Sequence, residues 1–162
     1  MSQYEHTQRS PLHLVLMAGA GVFAGQAVIV RQEQPSRIVL LSVAALFIFL
    51  AACFAELTVR DDGERLVLRY GPMPMFGWKF SWNDVESAEV GRTSWIDGLG
   101  IHWIPGRGTT FNLWGFDCVV VRVKGKVVHI GTDDAVALAQ HIRAKISMMP
   151  LKEGQNRGGA AV

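Results

Sequence analysis

The sequence predicts an α+β protein. An N-terminal two-helix transmembrane hairpin is followed by a small domain of about seven antiparallel strands, capped by one C-terminal helix. Three observations predict it. Two long uncharged apolar runs lie near the start of the chain, several short alternating runs broken by turn residues follow, and a last stretch carries apolar residues at helical spacing.

The apolar runs cover residues 11–30 and 38–55 of the hairpin segment 11–56. Each is close to the ~20 residues needed to cross a ~30 Å hydrocarbon core. Backbone in lipid must satisfy its own hydrogen bonds, so each run is expected as a helix. A cleaved signal peptide is the alternative for the first run. It fits poorly, because the preceding polar tail (1–10) has only Arg9 as a fixed cation and a second span follows at once. The short connector Arg31–Arg37 places the two spans antiparallel and side by side. Gln26 and Ser42 then fall at the same depth, where a hydrogen bond between them would offset the cost of an amide in lipid. Gly21 and Gly25 form a GxxxG pattern that permits close packing, either with the second span or with another copy of the chain. Arg9, Arg31, Arg37, Arg60, Arg65 and Arg69 flank the spans. Their distribution favours both termini, and the soluble domain, on the cytoplasmic side of the membrane.

Strands are expected on either side of Asp61-Asp62-Gly63, then over 76–82, 85–90, 99–104, 109–114, 118–123 and 127–130. Val119, Val121 and Val123 share one strand face, with Arg122 on the other. Thr132 is expected to cap a helix whose first turn holds Asp133 and Asp134 and which runs to about Ser147. Ala135, Leu138, Ala139, Ile142 and Ile146 form its apolar stripe. The compact domain is thus 57–147, and the Gly-rich polar stretch 148–162 reads as a disordered tail. The segment IPGRGTT (104–110) has no Lys after its glycines and leads into a strand, so it reads as a turn rather than a phosphate loop.

This order, with Leu66–Pro72, Phe80–Val90, Gly98–Trp103 and Val128–Ile142, resembles the bacterial PH-like proteins, which carry a pleckstrin-homology-type domain after membrane spans. The resemblance implies two roughly orthogonal antiparallel sheets that form a partly open β-barrel plugged by the C-terminal helix. It also implies a non-enzymatic binding or scaffold module that meets a protein partner at the membrane surface. A second expectation is a subunit or assembly factor of a larger membrane complex, with the hairpin as its binding element.

The chain carries 16 Lys and Arg against 14 Asp and Glu, and lacks the basic footprint of a nucleic-acid binder. Neither the five His nor the two Cys fall at metal-ligand spacing, so no metal, cofactor or disulfide framework is expected. No nucleophile–base constellation is readable, and the chain is not expected to be an enzyme. Met75, Phe76, Trp78 and Trp95 lie in or near connecting segments and are candidates for a partner interface, with core packing as the alternative. Arg122, Lys124 and Lys126 on the last hairpin are candidates for anionic-lipid contact, with a solvated sheet edge as the alternative. The first hairpin is acidic at its turn (Asp61, Asp62, Glu64), which departs from the basic turn used by many lipid-binding pleckstrin-homology domains.

Overall fold

A computed structural model of the chain describes residues 4–30, 34–72, 75–94 and 100–149. Trp95 and all but two residues of the expected C-terminal tail lie outside the described residues. In order, the elements are β1 (Glu5–Arg9), α1 (Leu12–Ile29), α2 (Gln34–Cys53), β2 (Glu56–Asp61), β3 (Arg65–Tyr70), β4 (Phe76–Ser81) and a 3₁₀ turn (Trp82–Asp84). There follow β5 (Val85–Arg92), β6 (Gly100–Ile104), β7 (Gly108–Asn112), β8 (Asp117–Val123), β9 (Lys126–Gly131) and α3 (Ala135–Ser147).

The chain is α+β as expected, with two long apolar helices first and one helix last, but the strands do not close into a barrel. They form a four-stranded sheet ordered β1-β2-β3-β4 and a five-stranded sheet ordered β5-β8-β9-β7-β6. Nor is the pairing antiparallel throughout, because β7 and β9 run parallel. The β8–β9 hairpin folds back so that β9 inserts between β8 and β7. Gly108, at φ +99°, lets β7 lie against the Val127 carbonyl, where any Cβ would collide.

The polar tail contains a strand. β1 pairs antiparallel with β2 from Glu5↔Arg60 to Arg9↔Glu56. Its alternation is polar on both faces, so hydrophobic patterning does not reveal it. It is held by specific bonds instead. Gln8 Nε2 donates to the Trp114 carbonyl (2.8 Å), Thr7 and Thr58 hydroxyls meet at 2.8 Å, and Asp61 N donates to Tyr4 O (2.8 Å).

One apolar core lies between the sheets and α3. Leu57, Val59, Leu66, Leu68 and Tyr70 supply the first sheet's share, and Phe111, Val119, Val121, Val128 and Ile130 the second's. Trp78 meets Phe111 with ring centroids 4.7 Å apart. The helix stripe packs as expected, with Ala135, Leu138, Ala139 and Ile142 buried and Ile146 partly so. Its start differs, since Thr132 does not cap it. Thr132 Oγ1 accepts from Asp134 N at 3.1 Å, and no acidic residue occupies the first turn. The two aspartates turn to β1: His6 Nε2 meets Asp133 Oδ1, and Tyr4 OH donates to Asp134 Oδ2. The segment 104–108 is the β6–β7 turn, with Arg107 N bonded to Ile104 O at 3.1 Å.

α1 and α2 have 18 and 20 residues, about 27 and 30 Å at 1.5 Å per residue, and are long and apolar enough to cross a membrane. α2 starts earlier than expected. Pro35 sits in its first turn, where a missing N–H costs nothing, instead of ending a loop.

Candidate functional site

Where the helices meet the sheets, the chain is tightly tied. β1 leads into α1 within two residues, α2 leads into β2 within two, and β1 and β2 are neighbours in one sheet. The hairpin is therefore an insertion between adjacent strands. Ser10 N donates to Ala55 O (3.2 Å), Ser10 Oγ accepts from Leu12 N (2.9 Å), and Gly71 N donates to Glu56 O (2.7 Å). Gly71, at φ +62°, lies beside the last carbonyls of α2: a Cβ there would come within 2.5 Å of Ala52 O and 2.6 Å of Cys53 O. Phe54 then stacks on Phe76 (5.8 Å, 21°) and meets Tyr70 edge-on (5.7 Å, 72°). β1 and the elements from β2 to α3 consequently lie on the same side of the hairpin.

The packing of the two helices excludes the second span as the partner of the GxxxG glycines. Gly21 and Gly25 face open space, whereas a Cβ on Gly19 would lie 2.7 Å from the Phe47 ring. Phe23 and Phe47 meet at 5.3 Å, and Ala20, Ala27, Ala44 and Ala51 are buried. Gln26 is exposed and does not bond Ser42; the Ser42 hydroxyl donates to Ile38 O, one turn back (2.9 Å). Leu14, Val15, Val22, Ile29, Val39 and Ile48 point outward from the pair.

At the far end of β2 is a cluster that sequence reading missed. Asp61 is buried, with 3% of its surface exposed, rather than lying in an exposed acidic turn. Its Oδ1 accepts from Trp82 Nε1 (2.9 Å) and Gly63 N (2.8 Å), and its Oδ2 meets Lys145 Nζ (3.0 Å) and His141 Nε2 (2.9 Å). Burial alone would raise its pKa. The hydrogen bonds from Lys145, Gly63, His141 and Trp82 outweigh that and lower it to about 2. Tyr4 stacks on His141 at 5.3 Å, and Lys145 lies 5.6 Å over the Trp82 ring. Burial and the neighbouring Asp134 push the Tyr4 phenol above its usual range. Two protein donors reach each Asp61 oxygen, so the carboxylate works as a clasp joining β2, the 3₁₀ turn and α3. The i, i+4 spacing of His141 and Lys145 on one helix face was its only readable sign.

The other candidate residues are dispersed. Phe76 and Trp78 are half-buried and pack on the core, as the alternative reading held, while Met75 is 59% exposed. Trp103 is 68% exposed on edge strand β6. Arg122 and Lys126 are exposed, but Lys124 pairs with Asp84 (2.9 Å) and Gly125 N donates to Glu86 (2.9 Å). This turn adjoins the 3₁₀ turn at the end of the sheets opposite the hairpin. Cys53 and Cys118 are both buried thiols. Among the described residues, no three His, Cys, Asp or Glu side chains gather as a metal site. No protein-family model matches the chain, and no curated protein sequence matches it either.

Proposed function

We propose that this chain is a membrane-anchored binding or scaffold module of the PH-like kind, without enzymatic activity, that presents its sheet domain to a protein partner at the cytoplasmic face of a bacterial inner membrane. One observation carries the reading: the apolar hairpin is inserted between neighbouring strands and locked by the Ser10–Ala55 bond and the Gly71 contact, so it can anchor the sheets without a flexible linker. The outward aliphatic side chains of α1 and α2 suit lipid, since a soluble chain would hide a surface of that size. The full saturation of Asp61 by protein donors favours a structural role over catalysis. Photocrosslinking in native membranes from position 75 tests this reading. Recovery of one defined partner is expected; only self-crosslinked species, or release of the chain by carbonate, would refute it.

A second reading, a subunit or assembly factor bound through the hairpin, draws on Gly21, Gly25 and Gln26. All three lie on the exposed surface of α1, turned from α2 and open to another helix. Gly21→Leu and Gly25→Leu should then abolish assembly, while an intact complex would exclude this reading.

A further inference from the structure

We infer that the outer face of the β1–β4 sheet is a docking surface for the anionic phospholipid headgroups of the bilayer that holds the hairpin; the inference rests on the membrane reading above. Strand alternation sends Leu57, Val59, Leu66 and Leu68 inward. Outward, in register across the four strands, stand Arg9, Arg60, Arg65, Arg69 and Lys79 against only Glu5 and Glu56. All five cations are exposed. Arg9 reaches Glu56 only at 4.0 Å, and Arg69 donates to the Pro72 carbonyl (3.3 Å). Arg60, Arg65 and Lys79 form no ion pair among the described residues. On β5 and β8 the corresponding face of the other sheet carries Glu89, opposite Val120, as well as Arg122, opposite Ser87, and is not basic.

Between Arg60 and Arg69 lies a recess of about 270 Å³ floored by Thr7, Thr58 and Val67, with Glu5 and Glu56 at its rim. Guanidinium forks beside hydroxyls are donors suited to phosphate oxygens. The two carboxylates disfavour a single tightly held free anion. Several weak contacts spread over a layer of phosphodiesters suit the face better. The rows step back from the hairpin, Arg9 first, then Arg69, then Arg60 and Lys79, each about 7 Å further along the strands. Screening confines attraction to within about 8 Å of the headgroups. The outer rows therefore take part only when the sheet leans onto the bilayer.

The test uses the full chain in lipid nanodiscs, with a spin label at Ser81→Cys on the row furthest from the hairpin and a control label at Ser87→Cys on the other sheet. Replacing phosphatidylcholine by phosphatidylglycerol should lower access of a water-soluble relaxant to the first label several-fold and leave the control unchanged. High salt should restore access, as should Arg60→Gln, Arg65→Gln and Lys79→Gln combined. Equal access in both lipids overturns the inference. So does equivalent protection by inorganic phosphate in phosphatidylcholine discs, which would make free phosphate the ligand. A chain that fails to stay in the discs defeats the membrane reading itself; one that stays but ignores lipid charge defeats only this inference.

Discussion

Asp61 and Lys145, 84 positions apart, meet at 3.0 Å in a setting where the carboxylate is almost wholly buried. Removing one partner of such a pair leaves the other charge without compensation, which costs about 3–5 kcal/mol. Asp61→Ala is therefore expected to lower the melting temperature of the detergent-solubilised chain sharply. Lys145→Met should cost less, because Trp82, Gly63 and His141 still serve the carboxylate. Near-ultraviolet circular dichroism from Trp82 would follow both transitions.

The same carboxylate sets an acid limit. Its folded pKa is about 2, against an ordinary value of 3.8, so between these values the unfolded chain binds more protons than the folded one. Its stabilisation is complete above pH ~4 and disappears as pH falls through about 2. Melting temperatures of the native chain and Asp61→Asn measured across that range should converge toward the acid end.

Gly71→Ala is expected to disturb the joint between helices and sheets. It combines a left-handed backbone with a clash against the α2 carbonyls, at a cost on the order of 2 kcal/mol or more. Limited proteolysis should show faster cleavage near residues 54–56. Gly115→Ala, also at positive φ but facing open space, should show the conformational cost alone.

Within the hairpin, Gly19→Leu should break the α1–α2 contact, because its side chain would occupy the place of the Phe47 ring; overpacking of this kind costs about 1–3 kcal/mol. Gly21→Leu should leave hairpin packing intact. Crosslinking between cysteines placed on the two helices separates the outcomes.

Since β1 pairs with β2, Thr7→Cys and Arg65→Cys should react with an impermeant thiol reagent from the same side of the membrane. In intact cells both should be protected, and in inverted vesicles both labelled. Labelling of only one would break the same-side topology.

The sequence announced what apolar periodicity announces. The two long helices, the inward row Val119 and Val121, and the Ala135–Ile142 stripe were all legible, because burying apolar surface imposes a period on the chain. Strand β1 was not, since Tyr4, His6 and Gln8 point inward yet are polar and are satisfied by partners distant in sequence. The Asp61 clasp was hidden for the same reason: two aspartates before a glycine look alike in a turn, and only tertiary contacts from α3 separate the buried one from its exposed neighbour. GxxxG lies away from the α1–α2 contact, which Gly19 makes instead, as a short spacing pattern does not say which side of a helix meets a given partner. The expectation of purely antiparallel strands failed on the insertion of β9 beside β7, a choice made by long-range strand order rather than by any local signal.

The hairpin's place between β1 and β2 imposes an order on biosynthesis. β1 leaves the ribosome before β2, yet its pairing edge does not exist until both helices have been made and the chain has returned. A short strand polar on both faces can wait in water through that interval without aggregating, as a greasy one could not. Its lack of hydrophobic signal is thus what lets this segment wait for a partner strand that is made after it.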